Sequence, residues 1–264
     1  MEKIALIVSK TDIAAQLILE KINEIGFPGW AVLYTFEEDS IHVDASKIKE
    51  SKMVFLSRHA SAAGTKSLTV HHIGNYGKAL YGGEDKLLSG TLPILCANYL
   101  RALEKKCNSS ELSAKGFSVC LEVTHHGPLI EKGVLFIEVG GTENEWKNEA
   151  AAKVIAETVI EETEKSFTLE QNNTIVVGLG GGHYAPDFTK LILRQPYAFG
   201  HICPKYALGE LDEDLLKQMI EKSGAKEIIL DWKGLKENKE KVVKLCEATG
   251  LPIKRVQNLL GHKS

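Results

Sequence analysis

Residues 134–146 read VLFIEVGGTENEW, an apolar run followed by two glycines and the start of a polar segment. The first six residues predict a buried β-strand. Thr142 and Glu145 then give the T-x-x-E pattern of a capping box, which predicts that a helix begins there. Apolar residues at helical spacing follow, and a second apolar run, TIVVGL at residues 174–179, predicts the next strand. This order of strand, helix and strand is typical of an α/β fold with a largely parallel sheet.

The same alternation continues through the chain. Residues 12–25 carry apolar side chains at helical spacing and are followed by Gly26, which predicts a helix that ends there. No repeat or clear linker divides the sequence, so we expect one domain over residues 1–264. Further strands are predicted at residues 4–8, 53–56, 117–123 and 228–230.

Composition and cysteine usage narrow the class of protein. The 264 residues are 44% hydrophobic and 25% charged, which is ordinary for a globular protein. No apolar run approaches the roughly 20 residues of a membrane helix, so no membrane partner is expected. The five cysteines are scattered and form no C-x-x-C pair, which disfavours a disulfide framework and favours the reducing cytoplasm.

The charge is unevenly distributed. A net charge of −3 excludes a globally basic nucleic-acid binder. Residues 222–264, however, contain ten Lys and Arg against five Asp and Glu. This basic C-terminal segment could contact phosphates, or it could be a solvated helix face.

Polar side chains follow four of the predicted strands. Ligands of open α/β sheets bind outside the carboxyl ends of the strands. If these strands are parallel neighbours, their loops gather over one edge of the sheet. The residues concerned are Arg58, His59, Glu122, His125, His126, Glu138, His183 and Asp187.

Histidines and carboxylates together suit both Zn²⁺ binding and general acid–base chemistry. His125 and His126 are adjacent and point in different directions, so they are not expected to bind one ion together. One of them would ligate or catalyse while the other packs or orients a carboxylate. No H-E-x-x-H motif is present, so the helical zinc-protease signature is absent from the sequence.

The glycine run at residues 178–182 matches neither a P-loop nor a G-x-G-x-x-G fingerprint, because His183 stands where the last glycine should be. It would allow the backbone to approach a substrate closely, or adopt positive φ values that aim His183, or form a simple turn at a strand end. Small residues around Arg58 and Lys66 favour binding of a phosphate or carboxylate there. Residues 194–210 read as a polar and aromatic loop, in which Tyr206 would stack on a base or pack in the core.

Four stretches together resemble the archaeal and plant type of D-aminoacyl-tRNA deacylase. They are SRHASAAGTKSLTVHHIGN (57–75), EVTHHGP (122–128), GLGGGHYAPDFT (178–189) and GHICPKYAL (200–208). The resemblance implies a chirality-proofreading hydrolase that cleaves the ester between a D-amino acid and the tRNA 3′ end. It also implies a three-layer α/β/α fold with a mixed, mostly parallel sheet, phosphorylase/hydrolase-like and akin to peptidyl-tRNA hydrolases. The resemblance further implies a zinc-dependent enzyme, with up to two ions per chain, and a monomer.

Within this framework each candidate residue receives a role from its position and chemistry. The expected metal ligands are His59, Glu122, His125 and His183. The expected catalytic residues are Glu138, Asp187 and His126, the first two as alternative general bases. The expected substrate-binding residues are Arg58, Lys66, Gly180, Gly181, Gly182, Tyr184 and His201.

Other hypotheses remain open at this stage. Hydrolysis without metal would use backbone N–H groups of the glycine run for the oxyanion, with a histidine or the terminal ribose hydroxyl activating water. A nucleoside phosphorylase-like enzyme would bind phosphate at Arg58 and the glycine run and stack a purine on Tyr184. A peptidyl-tRNA hydrolase-like esterase would act on other aminoacyl-tRNA adducts, and a tRNA-binding module would have no turnover.

Overall fold

The structure, a computed structural model, describes residues 2–169 and 172–261. Within these residues the chain forms strands and α-helices in close alternation, as the sequence predicts. The strands are β1 (Ile4–Ser9), β2 (Ala31–Phe36), β3 (Lys52–Ala60), β4 (Ser67–His71), β5 (Gly90–Thr91), β6 (Ser118–Leu121), β7 (Gly133–Gly141), β8 (Thr174–Leu179), β9 (Tyr197–Cys203), β10 (Glu227–Leu230) and β11 (Ile253–Arg255). The helices are α1 (Ile13–Ile25), α2 (Pro93–Asn108), α3 (Glu111–Ala114), α4 (Glu143–Trp146), α5 (Glu149–Ser166), α6 (Pro186–Arg194), α7 (Glu213–Ser223), α8 (Lys239–Ala248) and α9 (Val256–Leu259).

The strands are divided between two sheets, a division that the sequence did not indicate. The first sheet has the order β2-β1-β3-β7-β4-β6, with β5 beside β7, and the second has the order β11-β10-β8-β9. All pairs are parallel except β4 with β7, which run antiparallel. The expected α/β class with mixed, mostly parallel pairing is therefore confirmed.

Helix α1 shows why the local predictions succeed. The Asp12 carboxylate accepts a hydrogen bond from the backbone N–H of Ala15 at 2.9 Å and so caps the helix. The same side chain accepts from the backbone N–H of Arg58 at 2.8 Å, which joins the start of α1 to the end of β3. The helix ends at Gly26, whose φ of 124° is a conformation that L side chains rarely adopt. Both predicted ends are confirmed.

The predicted helix after β7 is split into α4 and α5. Glu145 accepts from the backbone N–H of Thr142 at 2.9 Å, as the capping box requires, but α4 stops after one turn. Asn148 then caps α5 by accepting from the backbone N–H of Ala151 at 3.0 Å. These helices do not join neighbouring strands, because β7 already pairs with β3 and β4, and β8 belongs to the second sheet.

The hydrophobic core extends across both sheets. Helices α1, α2 and α5 pack on a cluster that includes Leu6 and Ile137 of the first sheet and Val176 and Phe199 of the second. Helices α7 and α8 cover the opposite face of the second sheet. This shared core agrees with the expectation of a single domain, which stays a prediction. Among the described residues, no helix is both long and apolar enough to cross a membrane.

Two buried histidines hold the sheets together in their neutral form. His72, just after β4, has Nδ1 at 3.0 Å from the Gly200 carbonyl oxygen, and its Nε2 accepts from the backbone N–H of Leu92 at 3.1 Å. His201, on β9, has Nε2 at 2.9 Å from the Ser89 carbonyl oxygen and Nδ1 at 3.1 Å from the hydroxyl of Thr124. Because carbonyl oxygens only accept, each ring carries one hydrogen, and its other nitrogen faces a donor. Burial lowers the pKa of His72 to about 4 and that of His201 to about 3.

We expect the free energy of unfolding to fall as the pH drops from about 6.5 towards 3, because His201 gains a proton in the unfolded chain but not in the folded one. Above pH 6.5 both states are neutral at this position, and its contribution is complete. The loss amounts to about 1 kcal/mol per pH unit. Urea denaturation of wild type and His201→Gln at several pH values measures it, and the difference between the two proteins should shrink as the pH falls. A pH-independent difference, or the same change with the exposed His42→Gln control, would contradict the assignment.

Candidate active site

A cleft of about 810 Å³ opens where loops from the two sheets meet. His59 near the end of β3, His125 in the segment after β6, and His183 after the glycine run all line it, together with His126 and Tyr184. We call it the histidine cleft. Its volume lies within the range of about 300–1,000 Å³ that is usual for ligand pockets.

The side chains converge, but not over one sheet edge as expected. Strands β3 and β7 are parallel neighbours, so His59 and Glu138 come from adjacent strands. Strand β4 runs antiparallel to β7, and β6 runs parallel to β4, so Glu122 follows a strand of opposite direction. His183 comes from the second sheet. The convergence therefore depends on how the two sheets meet and not on a shared carboxyl edge.

Glu122 is the centre of the arrangement. Its Oε2 lies 2.9 Å from Nε2 of His183, 3.3 Å from Nδ1 of His59 and 3.6 Å from Nε2 of His125. One ligand atom from each of these four residues lies within 4.8 Å of all the others, so the group could hold a metal ion. These are the four residues that the sequence suggested as ligands, and the structure brings all of them together.

The Glu122 carboxylate is completely buried. Burial alone would raise its pKa, but the close His183 imidazole and the charge of the buried His71 lower the pKa below its usual range. Within the described residues, neither carboxylate oxygen has a well-aligned hydrogen-bond donor. A buried carboxylate in this state is stabilised only by a positive charge beside it.

The adjacent histidines present their Nε2 atoms, since each Nδ1 faces a backbone carbonyl oxygen. Nδ1 of His125 lies 2.8 Å from the Val123 oxygen, and Nδ1 of His126 lies 2.6 Å from the Gly127 oxygen. A carbonyl only accepts, so Nδ1 carries the hydrogen and Nε2 keeps its lone pair in the neutral ring. Burial lowers the pKa of His126 to about 3 and that of His125 well below its ordinary value. The lone pair of His125 consequently faces the Glu122 carboxylate, an arrangement that favours a cation between them.

His71 and Glu138 form a second buried group behind the first. Nε2 of His71 lies 3.4 Å from Oε2 of Glu138, which is also 3.7 Å from Nδ1 of His59. Burial opposes the charged imidazole, but the Glu138 carboxylate outweighs it and raises the pKa of His71. His71 combines with Glu122 and Glu138, or with His125 and His126, in two further groups that could hold a metal. Sequence reasoning missed a role for His71, although its neighbourhood of histidines was a signal.

Comparison with known proteins decides the family. A family model for D-aminoacyl-tRNA deacylase matches residues 46–254. The D-aminoacyl-tRNA deacylase of Pyrococcus furiosus is 38% identical over 231 residues, which cover 83% of this chain and 82% of that protein. That of Thermococcus kodakarensis is 36% identical, with 92% of this chain and 96% of that protein covered. The chain belongs to the D-aminoacyl-tRNA deacylase family. The resemblance seen in the four sequence stretches is confirmed.

A solved structure supports the fold of this D-aminoacyl-tRNA deacylase family member. A crystal structure described as a conserved protein of unknown function superposes with a TM-score of 0.88 and 29% sequence identity. The match covers 98% of this chain and 96% of that one, so both sheets and the loops between them belong to the shared architecture.

The glycine run of this deacylase family member shapes the chain and does not line the histidine cleft. Gly180 and Gly181 have φ values of 103° and 83°, and a Cβ on Gly180 would lie 3.0 Å from the backbone oxygen of Asp231. The Gly181 oxygen accepts from the backbone N–H of Lys205 at 3.0 Å, and the Gly182 oxygen accepts from that of Ala185 at 3.0 Å. The positive φ values that would aim His183 are thus present. The close backbone approach that the glycines allow is made to the protein's own backbone and not to the cleft.

Four other candidates lie outside the cleft, each for a physical reason. Arg58 donates to the Thr11 carbonyl oxygen at 3.0 Å and pairs with Asp39 at 3.2 Å, because neighbours on a strand point to opposite faces and His59 occupies the cleft face. Lys66 lies 3.4 Å from Glu145.

The other two belong to regular structure near the cleft. Asp187 lies in the first turn of α6, where the helix N-terminus stabilises a carboxylate, 3.7 Å from Lys190. His201 lies within β9 and is fully buried, since residues 197–203 form a strand and not the expected loop.

Tyr184 lines the histidine cleft, as do three residues that were not among the expected site residues. Its hydroxyl lies 3.2 Å from Nε2 of His59 and 3.5 Å from the Ser61 hydroxyl. Leu80, Tyr81 and Tyr206 also line the cleft. Of these, only Tyr206 had a suggested role; Leu80 and Tyr81 stand in a segment whose pattern carried no functional signal.

Proposed function

We propose that this protein hydrolyses the ester that joins a D-amino acid to the 3′ end of tRNA. The observation that carries the proposal is the buried Glu122 carboxylate facing three imidazoles at a cleft large enough for an aminoacylated nucleoside. Family membership supplies the substrate class, since the relatives are named D-aminoacyl-tRNA deacylases. The protein acts in the cytoplasm, and a monomer suffices because one chain supplies every residue of the histidine cleft.

The cluster fits a zinc ion. Ligand atoms about 2.1 Å from a tetrahedral ion lie about 3.4 Å apart. The three distances from Glu122 Oε2, of 2.9, 3.3 and 3.6 Å, surround that value. The unpartnered carboxylate oxygens and the lone pair of His125 are donor atoms that the protein leaves unsatisfied. His59, Glu122, His125 and His183 would hold the ion, and His71 with Glu122 and Glu138 is a further group that could hold a second one.

Zinc bound there would supply Lewis-acid chemistry: it would polarise the ester carbonyl and lower the pKa of the attacking water towards neutrality. His126 lines the same cleft and remains neutral, so its free Nε2 can accept a hydrogen bond from the attacking water and orient it. The Tyr184 hydroxyl fixes the His59 ring at 3.2 Å. Glu138 lies beneath His59 and His71 and does not line the cleft, so it positions these rings.

Chirality is read by shape. The Cα hydrogen and the side chain exchange places between enantiomers, so one wall of the cleft suffices to exclude the L-form. A wall that blocks the position of an L side chain does not restrict the size or chemistry of a D side chain, which points the other way. The enzyme should therefore accept several D-amino acids.

We expect purified protein, loaded with zinc and desalted, to retain stoichiometric zinc by elemental analysis. His183→Ala removes one of the four donors and should lower the bound zinc, whereas His42→Ala, an exposed histidine outside the cleft, should not. Chelation should abolish hydrolysis, and added zinc should restore it. Equal zinc in both variants, together with full activity after chelation, would refute the metal assignment.

Deacylation assays with several D-aminoacyl-tRNAs and their L-counterparts test the activity itself. D-forms should be hydrolysed and L-forms spared, and His126→Ala should slow hydrolysis by about 10²–10⁴-fold if it orients the water. Equal rates on both enantiomers would defeat the proofreading role. Phosphate-dependent release of a free base would instead identify a phosphorylase, and tRNA binding without turnover would identify a binding module.

The basic C-terminal segment contributes contacts to the tRNA phosphates. Lys222 and Lys254 are paired with Glu131 and Glu227 at 3.0 and 2.8 Å, which leaves them little free charge. Arg255 and Lys239 instead lie over the Trp232 ring, 3.6 and 4.4 Å from its centre. Neither has a carboxylate within 4.0 Å in the described part of the chain. Residues 262–264 of the segment lie outside the described residues.

Reversing the charge of Arg255 and Lys239 to Glu should weaken tRNA binding and its dependence on salt. Each lost phosphate contact reduces the slope of log affinity against log salt by about 0.7–0.9. Filter binding at several salt concentrations measures the slope, with Lys49→Glu, an exposed lysine elsewhere, as the matched control. An unchanged slope in the double variant would exclude these two side chains from the interface.

A further inference from the structure

The mouth of the histidine cleft carries an unusual share of the exposed apolar surface. Among the described residues, nine large hydrophobic side chains are exposed, and three of them line this one cleft. Leu80, Tyr81 and Tyr206 are 78%, 67% and 64% exposed. Single exposed hydrophobic residues are ordinary, but a group at the entrance of a reactive site marks a surface that a ligand covers.

Backbone hydrogen bonds fix both tyrosines to the loops that carry the histidines. The Tyr81 oxygen accepts from the N–H of Gly127, the residue after His126, at 2.9 Å. On the other loop, Lys205, the residue before Tyr206, donates to the oxygen of Gly181, two residues before His183, at 3.0 Å. The backbone at each tyrosine is therefore anchored to a loop that carries a cluster histidine, and both side chains line the same cleft.

The two loops are also tied to each other. Lys86 pairs with Asp212 at 3.1 Å and with Glu210 at 3.7 Å, and a Cβ on Gly77 would lie 3.5 Å from Glu210. The loop with Tyr81 and the loop with Tyr206 thus form one continuous rim. Such a rim can present two aromatic side chains to the same ligand.

The substrate places a planar base close to the ester. The acyl group is carried by the ribose of the terminal adenosine, so an ester at Glu122 and the histidines leaves the adenine one sugar away. The amino acid side chain would then sit at the cluster itself, whereas the three rim side chains are mostly exposed. A base keeps one face or edge in water, and aromatic side chains bind its other face.

We propose that Tyr81 and Tyr206, with Leu80 beside them, form a stacking platform for the terminal adenine of the tRNA. The inference rests on the proposed function for the substrate, but it concerns binding and not the chemical step. Stacking is tolerant of the base, so the platform contributes affinity and placement and does not read sequence. The phenol oxygens are dispensable in this role, because the ring faces make the contact.

A cycle of binding measurements tests the platform without requiring turnover. Uncharged tRNA, intact or lacking its terminal adenosine, is titrated against wild type and Tyr81→Ala/Tyr206→Ala at one salt concentration. Removing the adenosine should weaken binding to wild type by roughly 5- to 150-fold and should have little effect on the variant. Tyr81→Phe/Tyr206→Phe should restore the discrimination, and Phe27→Ala, an exposed aromatic outside the cleft, should keep it.

The outcomes separate this inference from the proposed function. If removal of the terminal adenosine weakens binding to wild type and to the double alanine variant by the same factor, the platform is overturned, whatever the hydrolysis assay shows. An effect of the alanine variant on self-association, measured by sedimentation, in place of an effect on discrimination would also overturn it. Discrimination by wild type without hydrolysis of any D-aminoacyl-tRNA would uphold the platform and refute the deacylase activity.

Discussion

A fully buried carboxylate with no aligned donor in the described part of the chain is the constraint on which the site depends. Glu122 is shielded from solvent, and among the described residues its Oε2 faces three imidazoles within 3.6 Å without an aligned hydrogen bond. Desolvating a carboxylate costs several kcal/mol, so folding tolerates it only where positive charge is supplied. His125 offers a lone pair in its neutral form, so the imidazoles alone satisfy the carboxylate poorly. The four residues could therefore hold a cation, and such a cation would also neutralise the buried carboxylate.

That carboxylate is held in place by the junction of the two sheets. Directly after Glu122, the N–H of Val123 donates to the His183 oxygen and that of Thr124 to the Ile202 oxygen, both at 3.0 Å. The segment after β6 therefore continues the hydrogen bonding of the first sheet into the second. His201 reinforces this junction in its neutral form through Thr124. The cluster is consequently a product of tertiary packing, because neither sheet alone supplies all four residues.

Much of the fold and the membership of the cluster could be predicted, because both follow from local pattern. Apolar runs predicted the positions of β1, β3, β7 and β8 to within a few residues. Histidines and carboxylates within or just after predicted strands indicated the members of the cluster, which are His59, Glu122, His125 and His183. The antiparallel β4 and the second sheet could not be predicted, since pairing between distant strands leaves no local signature. For the same reason the prediction that His201 lies in a substrate-binding loop is wrong. Its polar stretch forms a buried strand because its hydrogen-bonding groups find partners inside the protein.

The positions of the adjacent histidines differ from what their sequence alone predicts. Neighbouring side chains normally diverge, and on that ground His125 and His126 are not expected to bind one ion together. His126 instead has a φ of 44°, an uncommon conformation for a residue with a side chain, and this turn brings its ring back beside that of His125, 4.4 Å away. Two carbonyl oxygens then fix both tautomers. His125 thus faces the carboxylate while His126 lines the open cleft, as two consecutive residues with separate roles in the proposed function would require.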